Sequence, residues 1–152
     1  MKKTIMALFM SGIIMTTGIP VLANNCRDTY LPSKVVSFSY STSAYTELRD
    51  KTDASSHYIY NQSGFDLWVQ SLTSGDINKT VNGRAIIPSG TQRRIRNTIK
   101  ESGYLQCKLG ITSAKSGVSG RVSGKWSPDC AGTYQAANCL LYTSDAADDS
   151  LR

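Results

Sequence analysis

The chain has 152 residues, a net charge of +6 at pH 7 and a single histidine. Once two end segments are set aside, about 115 residues remain, which is enough for one domain with one core and excludes a second domain. Three basic and three acidic residues lie in the end segments, so the central part keeps the whole net charge. Such a charge favours attraction to anionic cell-wall polymers or lipid headgroups, but it does not define a specific function.

The first 23 residues have the pattern of a secretory signal peptide. Two lysines follow the initial methionine, an apolar stretch spans residues 5–19, and Val21-Leu22-Ala23 forms a small-residue cleavage pattern. We expect cleavage after Ala23, so that the protein is secreted and begins near Asn24. The mature form should lack a transmembrane segment, because the apolar stretch is shorter than the roughly 20 residues that a span needs. An uncleaved membrane anchor is the alternative.

Alternating apolar and polar residues predict that residues 24–138 form a single all-β domain. Six segments of strand length carry the pattern or lie between turn signals: 36–40, 57–60, 67–72, 91–99, 104–112 and 117–126. The turn signals recur at intervals of about 8 to 15 residues, which predicts a small antiparallel β-sandwich of about 6–8 strands. The stretch from Gly75 to Gly90 is interpreted as a loop, and Ala44–Lys51 could form one or two helical turns.

A glycine-rich segment precedes Trp126. Strand geometry places five of its residues on one face: Val118, Gly120, Val122, Gly124 and Trp126. Small side chains in that row predict the close approach of another sheet or a β-bulge. A phosphate-binding loop is not indicated, because no helix start follows.

The last 14 residues differ in character from the rest. Residues Cys139–Asp149 resemble the translation of a sequencing-library transposase adaptor along their whole length. We therefore expect Cys139–Arg152 to be a non-native tail and exclude it from the fold, as for other processing scars. A genuine acidic tail is the alternative.

Three cysteines remain when the tail is excluded: Cys26, Cys107 and Cys130. No pair of them has the Cys-x-x-Cys spacing of a zinc or redox site, and export favours an oxidising compartment, so one structural disulfide is expected. We predict a bridge between Cys107 and Cys130, since Cys107 should share the inward face of its strand with Leu105 and Leu109. Cys26 would then pair with a cysteine of the natural protein lost beyond the start of the non-native tail, with another molecule or with neither. A Cys26–Cys130 bridge is the close alternative.

The best candidate for binding is a row of basic side chains between residues 91 and 100. Period-two geometry places Arg94, Arg96 and Lys100 on one face, whereas Arg93 falls on the opposite face with Ile95. Aligned guanidinium groups can bind phosphates through paired hydrogen bonds, so teichoic acid, anionic lipid or another phosphorylated polymer could bind here. The alternative is that the charges mark a solvated face or protect an edge strand from aggregation.

Aromatic residues could extend such a surface. Five are candidates for a carbohydrate or interface surface: Tyr40, Tyr45, Tyr58, Tyr60 and Trp68. We expect most of them to be needed in the core instead.

Catalytic chemistry has little support in the sequence. A Ser-His-Asp or Cys-His arrangement would need His57, the one histidine, as its base. His57 lies in a predicted strand beside Tyr58, which favours a surface position or a cross-strand contact. The loop carboxylates lack the Asp-x-Asp-x-Asp spacing of a calcium loop, so no metal and no cofactor are predicted.

Two segments of the second half carry specific motifs. Asn97–Tyr104 reads N-x-I-x-E-x-G-Y, and Val122–Asp129 reads V-x-G-x-W-S-P-D. Both resemble the ending of an uncharacterised family, a domain of unknown function, of small secreted β-rich proteins from Gram-positive bacteria, some of them bacteriocin-associated. The resemblance extends over Phe38–Asp129. It implies a small β-rich fold and a secreted protein of Gram-positive bacteria, but it implies no activity and no site residue for this chain. Cys107 and Cys130 depart from the usual pattern of that family.

These observations predict a secreted, non-catalytic protein that acts by surface contact at the cell envelope and is bacteriocin-like or bacteriocin-associated. Its expected partners are anionic cell-wall polymers or lipid headgroups, and no nucleic acid is expected. The alternative is a secreted hydrolase with an unrecognised active site. A cleft with His57 hydrogen-bonded to a serine or carboxylate would favour the hydrolase, whereas a filled sandwich with a basic stripe would favour the binding protein.

Overall fold

The computed structural model describes residues 25–138; the predicted signal peptide and the predicted non-native tail lie outside them. Within these residues the chain is all-β and its paired strands run antiparallel, which confirms the predicted fold class. The eleven strands are β1 (Thr29–Tyr30), β2 (Val35–Ser37), β3 (Ala44–Tyr45), β4 (Arg49–Asp50), β5 (His57–Asn61), β6 (Leu67–Thr73), β7 (Ala85–Ile87), β8 (Gln92–Ile95), β9 (Gln106–Ser113), β10 (Ser119–Arg121) and β11 (Gly124–Ser127). They outnumber the predicted strands because several are only two or three residues long.

Two sheets make up most of the domain. The first sheet has four strands in the order β1-β11-β5-β8, and the second has the order β3-β9-β6-β7, with β4 also paired to β9. Strands β10 and β2 form a separate pair. Because β1 pairs with β11, the first and last strands of the described chain are hydrogen-bonded neighbours.

The core lies between the inward faces of the two sheets. In β5, His57, Ile59 and Asn61 are buried, and the tyrosines between them are half-buried. In β6, Leu67 and Val69 are buried, and the residue between them is half-buried. Strand alternation thus sends one face of each sheet inward. The buried hydrophobic cluster draws on both sheets and consists of Leu31, Val36, Ala44, Ile59, Leu67, Val69, Ala85, Ile87, Ile95, Ile99, Cys107, Leu109, Ile111, Val122 and Trp126.

Three short strands lie where the sequence predicted something else. Residues 25–138 contain no helix, so the helical turns considered for Ala44–Lys51 are wrong: that segment contains β3 and β4, both paired with β9. The predicted loop from Gly75 to Gly90 contains β7, whose Ala85 and Ile87 are buried. Strands of two or three residues are too short to show the alternation of apolar and polar residues, so they can be identified only from the strands with which they pair.

Two glycines between residues 117 and 126 allow close approaches by other parts of the chain. A Cβ atom on Gly120 would lie 2.6 Å from the Phe65 ring, and one on Gly124 would lie 2.0 Å from the Tyr60 carbonyl oxygen. The predicted single strand over this segment is instead two strands, β10 and β11, with Val122 and Ser123 between them. Phe65 lies between β5 and β6, and Tyr60 belongs to the neighbouring strand of the same sheet, so these contacts are not the predicted approach of another sheet. The predicted continuous strand is wrong as well.

Replacing Gly124 with alanine should lower the free energy of unfolding by about 3 kcal/mol, because the methyl group would collide with the Tyr60 carbonyl in a strained backbone. The strain arises because Gly124 has a φ of +142°, which L side chains rarely adopt. Gly64→Ala is the matched control, since a Cβ at Gly64 would have no atom within 4 Å. Urea denaturation measures both variants, and equal stabilities would show that β11 can shift away from β5.

Candidate functional site

Arg94 and Arg96 lie on one exposed side of the chain. Arg94 belongs to β8, and both arginines are exposed while Ile95 between them is buried, so the alternation continues past the end of the strand. Lys100 lies farther on, in a turn, where it is half-buried and its Nζ donates to the Lys51 carbonyl oxygen at 3.4 Å. The structure therefore brings the two arginines together and engages Lys100 in a separate contact.

Tyrosines accompany these arginines on the solvent-facing side of the first sheet. Tyr58 of β5 is directly opposite Arg94 of β8, and Tyr60 is opposite Lys125 of β11. Tyr30 of β1 is also opposite Lys125, whose Nζ lies 5.9 Å from the Tyr30 ring centroid. Directly opposite residues share a face of a sheet, so these side chains form one surface. We call it the basic face; it consists of Tyr30, Tyr58, Tyr60, Arg94, Arg96 and Lys125.

The basic face holds a neutral phenol beside permanent positive charges. The Tyr58 hydroxyl donates to Oε1 of Gln92 at 3.0 Å. Burial, followed by the negative charge of Asp28 and the neighbouring Tyr134, raises the pKa of Tyr58 to about 12. Tyr58 therefore remains a neutral hydrogen-bond donor at physiological pH, while the guanidinium groups keep their charge.

The last described residues cover the outer edge of β8. The N–H of Arg94 donates to the Gln135 carbonyl at 3.0 Å, and a second backbone bond returns to the Arg94 carbonyl at 2.9 Å, so the segment 134–138 pairs with β8 in parallel. The Tyr134 ring packs on the Tyr58 ring, with their centroids 4.8 Å apart. Arg94 is therefore not needed to protect an open edge at this position, which leaves a solvated face as the alternative to binding.

A second aromatic group lies on the other sheet. The ring centroids of Phe38 and Tyr40 lie 5.3 and 6.3 Å from that of Trp68, and the Arg84 guanidinium lies 4.0 Å from the Trp68 centroid. The expectation that most of the five candidate aromatics form core is wrong: Tyr40 and Tyr45 are exposed, and Tyr58, Tyr60 and Trp68 are half-buried. The candidate aromatics are thus divided between the two sheets.

His57 lies in the core, so the surface position is wrong, but it is the cross-strand partner of Ile95 in β8, which is the other expected arrangement. Its Nδ1 donates to the Pro128 carbonyl at 2.6 Å, and its Nε2 accepts a hydrogen bond from the Ser71 hydroxyl. His57 belongs to the first sheet and Ser71 to the second, so this bond joins the sheets through the core. Burial, and next the positive charge of Lys51, lower the pKa of His57 to about 3. The pair could act as nucleophile and base, but both residues are 0% exposed and closed to substrate.

A lysine and an aspartate form a buried ion pair. The Lys51 ammonium contacts Oδ1 of Asp129 and donates to the Ser55 carbonyl at 2.6 Å, and both charged side chains are fully buried. The other carboxylate oxygen of Asp129 accepts from the N–H of Asn25 at 2.7 Å and from the N–H of Thr52 at 3.1 Å. Burial alone would raise the pKa of Asp129, but hydrogen bonds from Lys51, the Thr52 hydroxyl and the Asn25 N–H, together with the charge of Lys51, outweigh it and lower the pKa.

Sequence reasoning missed this pair. Asp129 ends the V-x-G-x-W-S-P-D segment, which was the one signal available for it. Lys51 lies in a polar stretch between predicted strands and gave no signal. The two residues are 78 positions apart, so only the pairing of distant segments brings them together. Because the charges are paired and enclosed, the arrangement serves the fold and presents no reactive group to solvent.

The three cysteines between residues 25 and 138 are free thiols. Cys107 is fully buried on β9, opposite Thr73 and Arg49 of the neighbouring strands, whereas Cys130 is half-buried in the loop after β11. Leu105 is not part of the inward row that we expected: it precedes β9 and is 66% exposed. The Cys107–Cys130 bridge stays a prediction.

Two other kinds of site bear on partners and cofactors. Residues 25–138 contain no helix that is both long enough and apolar enough to cross a membrane. Over the same residues, no group of three or more histidine, cysteine, aspartate or glutamate side chains is placed to hold a metal ion.

The fold and the basic face define a small antiparallel all-β domain with a cationic, tyrosine-bearing surface. The profile of a family described as protein of unknown function (DUF2712) matches residues 19–130. Because the match covers most of the chain, the protein belongs to this family, and its predicted relation to a domain of unknown function is confirmed. The matched range contains Lys51, Arg94 and Asp129, and it ends before the segment 134–138. No curated protein and no solved structure matches the chain.

The buried His57 predicts a specific dependence of stability on pH. Its pKa is lowered in the folded state, so its contribution to stability is complete above the unfolded-state pKa of about 6.5 and is lost as the pH falls below that value. Between pH 7 and pH 5, the free energy of unfolding should decrease by about 2 kcal/mol. Urea denaturation at constant ionic strength measures this change.

The variant His57→Gln is the control, because the chain has no other histidine. Its free energy of unfolding should change little between pH 7 and pH 5. If the variant does not fold, NMR on the parent protein gives an independent test. The Cε1 proton of a buried neutral ring should not titrate above about pH 5, whereas a titration near pH 6.5 would contradict this account.

Proposed function

We propose that this protein is a secreted, non-catalytic protein that acts by surface contact at the cell envelope. Its partners are anionic cell-wall polymers or lipid headgroups, which bind to the basic face. The observation that carries the proposal is the exposure of Arg94 and Arg96 on the side of the first sheet that also presents Tyr58 and Tyr60.

The basic face suits an extended anionic ligand. A guanidinium group donates paired hydrogen bonds to a phosphate and keeps its charge at all relevant pH values. Arg94 and Arg96 are two positions apart in an extended chain, which spaces them by roughly 6 to 7 Å. The tyrosine rings add apolar contact area with a hydroxyl at the tip, which suits sugar or glycerol units between phosphates. A row on an open sheet surface fits a polymer or a headgroup layer better than a small ligand, which needs a pocket.

The charge of the whole domain supports the same proposal at longer range. The net charge of +6 resides in the central part of the chain. It attracts the protein to an anionic surface over about one Debye length, roughly 8 to 10 Å in physiological salt. The basic face then determines which side of the domain contacts that surface.

The burial of the His57–Ser71 pair supports surface contact over hydrolysis. A hydrolase that used this histidine as its base would need a cleft that admits substrate to both side chains. Both residues are instead enclosed between the packed sheets. A filled core together with a basic row is the arrangement that favours a binding protein.

Export and an association with bacteriocins are further parts of the proposal. The pattern of residues 1–23 supports secretion. The family itself is a domain of unknown function. The resemblance of Asn97–Tyr104 and Val122–Asp129 to small secreted proteins of Gram-positive bacteria, some of them bacteriocin-associated, supports this part of the proposal. A bacteriocin-like protein must reach and hold the envelope of a target cell, which surface contact would accomplish.

Changing Arg94 and Arg96 to glutamine should weaken binding to anionic vesicles by roughly 30-fold, since each basic side chain at an anionic surface contributes about 1 kcal/mol. The measurement is co-sedimentation with vesicles of phosphatidylglycerol and phosphatidylcholine, repeated with isolated Gram-positive cell walls. Binding of the parent should also fall steeply with added salt. The stability of the variant should stay within about 0.5 kcal/mol of the parent, because both side chains are exposed.

The matched control is the double variant Lys34→Gln/Lys115→Gln, which removes the same charge from two exposed lysines in loops outside the first sheet. It should lose much less affinity, because only the long-range attraction changes. Equal losses in the two variants would show that net charge alone drives binding and would contradict a specific role for the basic face. Undiminished binding of the arginine variant at low salt would contradict the proposal as well.

A further inference from the structure

Cys26 and Cys130 line the same cavity at the margin of the first sheet. The cavity has a volume of about 230 Å³, and Tyr58 and Tyr134 form another part of its wall. Both cysteines are half-buried, so a small reagent can reach them. Two thiols from opposite ends of the described chain therefore open onto one space.

Backbone hydrogen bonds hold the two cysteine-bearing segments together. The N–H of Asn25 donates to Oδ2 of Asp129 at 2.7 Å, and the N–H of Asp129 donates to the Asn25 carbonyl at 3.4 Å. Cys26 follows Asn25 and Cys130 follows Asp129, so each cysteine is one residue from this contact. The pairing of β1 with β11 continues it. The contact keeps the two segments adjacent, and both cysteines line the one cavity beside it.

The immediate surroundings of both thiols favour the protonated form. Burial raises the pKa of Cys26; a backbone hydrogen bond from Ala131 opposes this rise, and Asp129 and Cys130 add to it. The Cys130 thiol donates to the Gly132 carbonyl at 3.3 Å, and burial raises its pKa as well. The two groups are thus neighbouring neutral thiols in the reduced state.

We propose that Cys26 and Cys130 form a disulfide that ties the beginning of the domain to the loop after β11. The oxidant is a dissolved low-molecular-weight disulfide of the glutathione class. One S–S bond forms in the protein while one breaks in the oxidant, and the two thiol hydrogens leave on the two glutathione molecules. The bridge lies one residue from the contact between Asn25 and Asp129, and it therefore holds that backbone N–H against the buried carboxylate.

Cys107 does not share this cavity. It is fully buried on the inward face of β9 and does not line the cavity. Burial raises the pKa of Cys107 to about 12, so it presents almost no thiolate to an oxidant. We therefore propose the Cys26–Cys130 pairing, the alternative considered from the sequence, in place of the predicted Cys107–Cys130 bridge.

The test uses the full chain with Cys139→Ser, which leaves the three cysteines that the structure describes. The protein is oxidised in a mixture of reduced and oxidised glutathione, alkylated without reduction and digested with trypsin. We expect one linked pair, the peptide that ends at Arg27 joined to the peptide Trp126–Arg152, with Cys107 recovered as a free thiol after unfolding. A link that includes Cys107, or an unlinked Cys26, would overturn the proposal.

Thermal unfolding gives a second readout that does not depend on binding by the basic face. In oxidising buffer, Cys26→Ser and Cys130→Ser should each lower Tm by about 10 °C, and the double variant should be no less stable than either, because each change removes the same bridge. In reducing buffer, all three should match the parent within about 2 °C. Cys107→Ser is the matched control and should keep the full difference between the two buffers. A parent protein with equal Tm in both buffers would contradict the bridge.

Discussion

The buried ion pair between Lys51 and Asp129 is the interaction on which the two ends of this domain depend. Asp129 follows the last strand, and its carboxylate is bound by Lys51 and by the backbone N–H groups of Asn25 and Thr52. One carboxylate therefore binds three segments: the start of the domain, the connection after β4 and the residues that follow β11. Loss of one partner from such a pair typically costs about 3–5 kcal/mol, because an uncompensated charge is left in the interior.

Hydrogen bonds link the surroundings of this pair to the polar groups of the core. His57 donates to the carbonyl of Pro128, the residue before Asp129, and accepts from Ser71 across the sheets. His57, Ser71, Lys51 and Asp129 are thus enclosed, and their polar groups bind one another and the backbone. The side chains of Arg94 and Arg96 are exposed instead, and this exposure supports the proposed contact with an anionic surface.

The alternation of apolar and polar residues correctly predicted which side chains face inward in some strands, such as the buried Ile95 between two exposed arginines. It could not predict β3, β4 or β7, which are strands only because β9 or β6 supplies their hydrogen bonds. Nor did it choose the inward face of β5: it favoured a surface position or a cross-strand contact for His57, which is buried and bound to Ser71 of the other sheet. The pairing of Lys51 with Asp129 joins residues too far apart for any local pattern to show.

The segment 134–138 gives the first sheet a closed edge beside β8. Its backbone binds the N–H and C=O of Arg94, and Ala137 packs against the core. Asn138 is buried, and its side chain accepts from the N–H of Arg96 and donates to the Arg96 carbonyl. An unpaired strand edge is a template for pairing with another chain, and here the backbone groups of Arg94 are already bound within the fold. The side chain of Arg94 is therefore exposed on the sheet without leaving the backbone beneath it open to a strand from another molecule.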